Sequence, residues 1–165
     1  MTLVTIIIGS ASDRPVIDPA IEVFKKFQIP YRLRICSAHR DPERLVSEIR
    51  DAEKNGTRVF IAAAGMAAHL AGAVAANTIK PVIGIPVGSG PLKGQDSLLS
   101  TVMMPPGIPV ATVAVDGGKN AAWLAMQILA IMPDSELIRK ALESERINSR
   151  AALIIAQNKW IEEFQ

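Results

Sequence analysis

Short apolar segments alternate with segments of helical periodicity along most of the chain. The apolar runs that predict strands are residues 3–8, 31–37, 58–64, 81–87 and 108–115. The segments whose apolar spacing predicts helices are about 13–27, 42–54, the alanine-rich stretch ending near 77, 96–104 and 120–132. This alternation is typical of βαβ units, which form a parallel sheet covered by helices on both faces. We therefore predict a three-layer αβα fold of the α/β class, with strands in the flavodoxin-like order 2-1-3-4-5.

The clearest local boundary signals belong to the second helix. Asp41 suits the N-cap and Pro42 the first helical position. Asn55-Gly56 predicts where the same helix ends.

The C-terminal segment, residues 134–165, differs from the rest of the chain. It contains no Gly or Pro, and its apolar positions predict a helical extension of a single domain that spans residues 1–165. Trp160, Ile161 and Phe164 could cover the chain's own core or the surface of a neighbouring copy. Both readings stay open here, and symmetric self-association is common among soluble domains.

Composition narrows the class of protein. Of 165 residues, 49% are hydrophobic but only 4% aromatic, so we expect an aliphatic core. The net charge is +2 and no basic stripe is present, so nothing indicates nucleic acid. The single cysteine, Cys36, fits a reducing cytoplasm, and MTLVTIIIGS lacks the basic start of a signal peptide. Residues 59–76 are apolar except for His69, yet their alanine content makes a membrane span a poor reading.

Three polar loops follow the first three predicted strands. They are GSASD (9–13), SAHR (37–40) and AGMAAH (64–69). In a 2-1-3 order the carboxyl ends of these strands are neighbours, and ligands of open parallel sheets bind there. The sequence therefore predicts one site built from all three loops.

The first two loops carry groups suited to a phosphorylated ligand. GSASD offers Ser10, Ser12 and exposed N–H groups at a helix start, where anions are favoured, and Asp13 could accept bonds from ribose hydroxyls. It lacks the G-x-G-x-x-G pattern, so a dinucleotide is not expected. The alternative for these residues is helix capping. Arg40 could grip a phosphate through its planar fork, or pair with a neighbouring acid, Asp41 or Glu43.

The two histidines are the candidates for proton transfer. His39 follows the second strand, and histidine gives or takes a proton near neutral pH. His69 could orient a ligand or bond to a neighbouring loop. Two histidines and one cysteine give no cluster of metal ligands. The glycine-rich loop 87–97 misses the Walker spacing and is expected to be a flexible lid or wall of the site.

Two other ligand classes of this fold fit poorly. The three loops contain no aromatic face for a flavin, and no aspartate follows the third strand as a phosphoacceptor would require.

Taken together, GSASD, SAHR, AAHLAG, DSLLS and MPPGIPVATVAV resemble the N5-carboxyaminoimidazole ribonucleotide mutases of purine biosynthesis. The resemblance runs from about Val4 to Ile131. It implies a flavodoxin-like, Rossmann-like subunit of a homo-octamer and an isomerase that moves a carboxyl group from the exocyclic nitrogen to C4. It implies no ATP, biotin, metal or other cofactor, and a small ribonucleotide as the only ligand, with no nucleic acid or membrane partner.

The resemblance also implies roles for individual residues. His39 matches the catalytic histidine. The positions that match phosphate and ribose contacts are Ser10, Ser12, Asp13, Ser37 and Arg40, with Ala38 in the same loop. The positions that match the carboxylate pocket are Ala64, Gly65, Met66, Ala67, His69 and Leu70. We expect Ala62, Ala63, Ala64 and Leu70 to wall a pocket that holds CO2, while His39 acts first as acid and then as base.

Two positions depart from the pattern of that family. Met66 and Ala71 stand where the family commonly has a glycine and a proline. A sister class carboxylates aminoimidazole ribonucleotide with free CO2, but it typically has Lys in the place of Arg40, so the sequence favours the mutase. The alternative from another class is a nucleotide-binding module without catalysis.

Overall fold

The computed structural model describes residues 2–164 and contains a five-stranded parallel sheet in the order β2-β1-β3-β4-β5. The strands are β1 (Val4–Ile8), β2 (Tyr31–Ile35), β3 (Val59–Gly65), β4 (Val82–Val87) and β5 (Ala111–Thr112). The helices are α1 (Arg14–Lys26), α2 (Pro42–Lys54), α3 (Leu70–Ala75), α4 (Gln95–Val102), α5 (Gly118–Ala130) and α6 (Glu136–Glu163), and a 3-10 turn spans Ala11–Asp13. The predicted fold class and strand order are confirmed.

Helices cover both faces of the sheet because its central strands are apolar on both sides. Along β1, Ile6 and Ile7 point to opposite faces and both are fully buried. Ile6 belongs to a cluster with residues of α1 and α5, and Ile7 to a cluster with residues of α2 and α3. The close fit of α5 on α1 depends on Gly118, where a Cβ would lie 1.9 Å from the carbonyl oxygen of Val16.

The predicted boundaries of the second helix are confirmed. The Asp41 carboxylate accepts a hydrogen bond from the Arg44 amide at 3.1 Å, as an N-cap does. The helix ends at Lys54 with Asn55 as its C-cap, and Gly56 follows with φ 93, a left-handed conformation that glycine adopts without strain.

The fifth strand is much shorter than the prediction of 108–115. Only Ala111 and Thr112 pair with β4, opposite Ile83 and Gly84. The ladder is limited on one side by Pro109, which has no N–H to donate, and the run stays partly exposed at the edge of the sheet. The apolar residues of 108–115 therefore predicted a strand correctly, but only two of these residues pair with β4. The alanine-rich segment likewise divides, with β3 continuing to Gly65 and α3 limited to Leu70–Ala75.

Helix α6 is 28 residues long, or about 42 Å at 1.5 Å per residue. Near its start, Ile138, Ala141 and Leu142 pack on the core. From Arg146 to Phe164 every residue is exposed, so the second half of the helix extends away from the sheet. Within residues 2–164 no helix is both long and apolar enough to cross a membrane.

Candidate functional site

The strand register brings the three predicted loops together. Ile8, at the end of β1, pairs with Ile35 of β2 and with Ala63 of β3, so the chain leaves all three strands at nearly the same level. A cavity of about 470 Å³ opens there. Its lining consists of Gly9, Ser10, Ser12, Asp13, Ser37, Ala38, His39, Arg40, Ala64, Gly65, Met66, Ala67, His69, Leu70 and Ser89. Every residue that was matched to the catalytic histidine, to a phosphate or ribose contact or to the carboxylate pocket is among them.

The first loop is held in shape by its own polar groups. The Ser10 amide donates to the Asp13 carboxylate at 3.0 Å, and the Ser10 hydroxyl accepts from the Ser12 amide at 3.3 Å and the Ser12 hydroxyl at 2.9 Å. The loop therefore makes the capping contacts that were the alternative reading. It makes them at the wall of the cavity, so capping and ligand contact do not exclude each other.

Asp13 has an unusual environment for a carboxylate. Its residue is only 7% exposed, and desolvation by this burial raises the pKa of its carboxyl above the ordinary value. The hydrogen bonds from the Ser10 amide and the Ser12 hydroxyl oppose that shift without cancelling it. The buried acid is thus costly to ionise unless a ligand supplies further donors.

Arg40 joins the second loop to the first. One of its terminal guanidinium nitrogens donates to the Gly9 carbonyl oxygen at 3.0 Å, while its amide donates to the Ser37 hydroxyl at 3.3 Å. Within residues 2–164 it makes no ion pair, and Asp41 is used as the cap of α2 instead. Because a guanidinium has five N–H donors, the contact with Gly9 leaves most of them for an anion in the cavity.

The two histidines meet across the cavity. The His39 and His69 rings lie nearly parallel, 11° apart, with their centroids separated by 6.2 Å. Both residues are exposed, and the side chain of His69 makes no hydrogen bond with any other group in the range 2–164. Of the two readings left open for His69, this geometry favours contact with a ligand.

The apolar part of the wall differs in part from the prediction. Ala64 and Leu70 line the cavity as expected, together with Ala38 and Ala67. Ala62 and Ala63 do not, because β3 continues beyond them and leaves them 1% and 0% exposed inside the sheet. The prediction for these two alanines was wrong.

Ser89 is a lining residue that had no predicted role. It follows β4 in the loop that was expected to form a lid or wall. Its hydroxyl lies directly over Gly65, where a Cβ would come within 2.0 Å of it. The sequence signal for Ser89 was a hydroxyl in the glycine-rich loop 87–97. Its contact with Gly65 depends on how the loops after β3 and β4 fold against each other.

The arrangement supports binding of an anion and transfer of a proton. In the described range no group of three or more His, Cys, Asp or Glu side chains is placed to hold a metal ion. The cavity instead combines an arginine, a loop of amides and hydroxyls, two imidazoles and an apolar wall.

Residues 3–152 match the family described as AIR carboxylase. The chain belongs to the AIR carboxylase family. The match begins before the first loop and ends within α6, so it contains the whole cavity. It confirms the resemblance indicated by the loop motifs.

Relatives within the AIR carboxylase family are similar over most of their length. The protein named N5-carboxyaminoimidazole ribonucleotide mutase from Pyrococcus abyssi is 56% identical over 131 residues, covering 79% of this chain and 75% of that protein. The protein of the same name from Thermotoga maritima is 48% identical over 157 residues, covering 95% and 91%. The crystal structure of Treponema denticola PurE is 31% identical, covers 96% of this chain and 98% of its own, and has a TM-score of 0.83.

Proposed function

We propose that this protein is an N5-carboxyaminoimidazole ribonucleotide mutase of purine biosynthesis. The observation that carries the proposal is the meeting of His39, Arg40 and an apolar wall in one cavity at the carboxyl ends of β1, β2 and β3. The names of relatives at 56% and 48% identity support the same activity.

The ribonucleotide is held by the first two loops. Arg40 pairs with the phosphate, and hydrogen bonds to a charged group contribute roughly 1.5–3 kcal/mol each. The hydroxyls of Ser10, Ser12 and Ser37 add neutral contacts. The carboxylate of Asp13 accepts bonds from the ribose hydroxyls, and these donors replace the water that its burial excludes. The aminoimidazole then lies toward the histidines and the apolar wall.

His39 carries the proton in both halves of the reaction. The imidazolium protonates the exocyclic nitrogen of the substrate, whose bond to the carboxyl carbon breaks with the electron pair left on nitrogen, and CO2 is released. C4 of the electron-rich ring then forms a carbon–carbon bond to that CO2. Neutral His39 removes the proton from C4, and the ring regains its aromaticity. The proton given first is recovered last, so the step is an isomerisation with no co-reactant.

The apolar wall and His69 act on the migrating group. CO2 is apolar, and the wall beside it is apolar too. The wall therefore holds CO2 away from water and beside C4, and its residues are Ala38, Ala64, Ala67 and Leu70. His69, with its ring parallel to that of His39, orients the carboxylate before release and after capture. Its position on the far side of the cavity from β2 suits this role.

Carboxylation of aminoimidazole ribonucleotide by free CO2 is the second candidate. The description of the family, AIR carboxylase, favours it. Its product is the same, and the two activities differ in whether the CO2 comes from the substrate or from solution.

A homo-octamer in the cytoplasm completes the proposal. The exposed apolar residues on the second half of α6 support assembly, because a solitary chain leaves Leu153, Ile154 and Trp160 in water. A buried free thiol, Cys36, is consistent with a reducing compartment.

The experiment offers the purified protein two substrates without ATP. One is N5-carboxyaminoimidazole ribonucleotide, and the other is aminoimidazole ribonucleotide with a low concentration of bicarbonate. We expect rapid formation of the C4-carboxylated product from the first and little from the second. Efficient use of only the second would establish the carboxylase, and binding without turnover of either would leave a nucleotide-binding module.

The matched variant is His39→Asn, which keeps a hydrogen-bonding side chain but cannot shuttle the proton. We expect the rate to fall by about 10²–10⁴-fold, the usual contribution of general acid–base catalysis. The melting temperature should stay close to that of the wild type because His39 is exposed. Full activity in this variant would exclude His39 as the proton carrier.

A further inference from the structure

The loops after β3 and β4 interlock through two reciprocal contacts. The Ser89 hydroxyl occupies the space over Gly65, where a Cβ would lie 2.0 Å from it. The Met66 side chain in turn lies over Gly90, where a Cβ would be 3.5 Å from its Cγ and 3.9 Å from its sulfur. Each loop thus presents a glycine to the side chain of the other. We call this pair of contacts the β3–β4 clasp.

Met66 adopts a backbone conformation that disfavours its own side chain. Its φ is 54, in the left-handed region, where a residue with a Cβ is strained and glycine is not. Core packing does not compensate, because Met66 is 59% exposed. Strain of this kind persists where the surrounding structure imposes it, and it concentrates at functional sites. The surrounding structure here is the clasp, whose other loop also turns through a left-handed residue, Gly90, at φ 70.

The clasp lies at the edge of the cavity. Met66, Gly65 and Ser89 all line it, and so do the apolar residues Ala64 and Ala67, which lie within two positions of Met66 in the sequence. The Ser89 amide donates to the Val87 carbonyl at 2.9 Å, while its hydroxyl makes no hydrogen bond within the part of the chain that the structure describes. Of the two side chains in the clasp, Met66 is therefore apolar and Ser89 has a hydroxyl donor that is available to a ligand.

We propose that Met66 and Ser89 are positioning residues that close the cavity between β3 and β4 and retain CO2 between its release and its capture. The inference rests on the proposed mutase activity. The thioether covers the gap between the two loops with an apolar group, which slows the escape of CO2 and the entry of water. The Ser89 hydroxyl donates to a carboxylate oxygen and so keeps the migrating group on the inner side of that cover.

The test measures the origin of the carboxyl group in the product. Unlabelled N5-carboxyaminoimidazole ribonucleotide is converted in buffer containing ¹³C-bicarbonate, with carbonic anhydrase added so that dissolved CO2 is fully labelled. Mass spectrometry of the product gives the labelled fraction, and a blank without the mutase corrects for spontaneous loss of CO2 from the carbamate. Retained CO2 gives unlabelled product, and escaped CO2 gives labelled product or free aminoimidazole ribonucleotide.

The variant is Met66→Gly, which removes the cover and also the backbone strain. We expect the sum of labelled product and released aminoimidazole ribonucleotide to rise at least fivefold, with a melting temperature equal to or above that of the wild type. Met66→Leu keeps an apolar side chain over Gly90 and should retain the wild-type label fraction. Met66→Asn, which tolerates the left-handed backbone but carries no apolar end, should behave like the glycine variant.

A label fraction in Met66→Gly and Met66→Asn equal to that of the wild type would overturn the clasp while leaving the mutase intact. A labelled fraction that rises in Met66→Leu as well would also overturn it, because an apolar side chain at this position would then not be what retains CO2. A wild-type protein that does not isomerise the substrate overturns the proposed function, and the clasp with it.

Discussion

Burial of the Asp13 carboxyl at the wall of the cavity has opposite consequences for folding and for binding: its charge is costly in the folded protein but available to a ligand. The raised pKa of Asp13, caused by desolvation, means that the folded protein holds its proton more tightly than the unfolded chain does. In the window between the ordinary carboxyl pKa and the raised one, the native state binds more protons. Stability conferred by the protonated form is therefore lost as the pH rises through that window. Carboxyls whose pKa is shifted in this way concentrate at functional sites, where a ligand contacts them.

Asp13→Asn should separate these two effects. The amide oxygen can still accept from the Ser10 amide, and no charge is left to desolvate. We expect the variant to be at least as stable as the wild type at pH 7 in urea unfolding, with a flatter dependence on pH near the carboxyl range. Its affinity for the ribonucleotide should fall by about tenfold or more, since hydrogen bonds to a charged acceptor are lost.

The control for that change is Asp18→Asn, in an exposed pair with Arg14 on α1. It should alter neither affinity nor the pH profile, because an exposed pair of this spacing contributes only a few tenths of a kcal/mol. A loss of stability in Asp13→Asn that is larger at pH 7 than at pH 4 would contradict our assignment of desolvation as the main cause.

At the level of elements, helix α2 is tied to the edge strand β2 by two arginines of that strand, Arg32 and Arg34. The two terminal nitrogens of Arg32 donate to Asp51 and to Glu48, each at 2.6 Å, and Arg34 donates to Glu48 at 3.0 Å. The loop that carries His39 and Arg40 joins these two elements. Strand β2 pairs with another strand on one side only, so the sheet holds it less firmly than the central strands. The ion pairs to α2 add a second attachment and fix the two ends of the loop that joins them.

Asp51→Asn should weaken that connection in a pH-dependent way. The hydrogen bond from Arg32 lowers the pKa of the Asp51 carboxyl, so its contribution is complete above the ordinary carboxyl pKa and is lost as the pH falls through the lowered one. We expect a smaller free energy of unfolding than in the wild type at pH 7 and a shrinking difference below about pH 4. Glu143→Gln on α6 makes the same change of charge at an exposed site as a control. Equal destabilisation at neutral and acid pH would argue against the ion pair.

For the whole molecule, α6 is the feature that a solitary chain does not explain. Its exposed apolar residues include Leu153, Ile154, Ile155, Trp160 and Phe164, and the last two rings are in contact with centroids 4.8 Å apart. Exposed apolar side chains concentrated in one segment mark an interaction site. Ile154 and Ile161 are seven residues apart and share a face, whereas Ala152 and Ala156 lie nearly opposite.

The double variant Ile154→Glu with Ile161→Glu should reduce the assembly. We expect light scattering to give a wild-type mass near eight times the 17.7 kDa of one chain, and a smaller species for the variant. Ala152→Glu with Ala156→Glu adds the same charge to the opposite face and should keep the wild-type mass. Two variants with the same mass would show that this face does not hold subunits together.

Local signals in the sequence were sufficient for the order of elements and for the position of the site. Runs such as VTIII and VFIAAA are apolar at successive positions, as strands covered on both faces require, and Asp41-Pro42 marks a helix start through the caps that any helix needs. With the strands in the order 2-1-3, the ends that carry GSASD, SAHR and AGMAAH had to meet. The three loop motifs are therefore sufficient to predict where the cavity lies.

Only the tertiary structure decided what depends on register and on contacts between distant loops. It buried Ala62 and Ala63 while leaving Ala64 at the cavity, because the ladder with β4 continues to Gly65. It also limited β5 to a single short pairing, desolvated Asp13 and set the rings of His39 and His69 parallel. The contacts of Met66 and Ser89 belong to the same class, since each needs a glycine more than 20 residues away to lie beneath it. The sequence determined which residues end each strand, and the packing of the chain determined which of their atoms face one another.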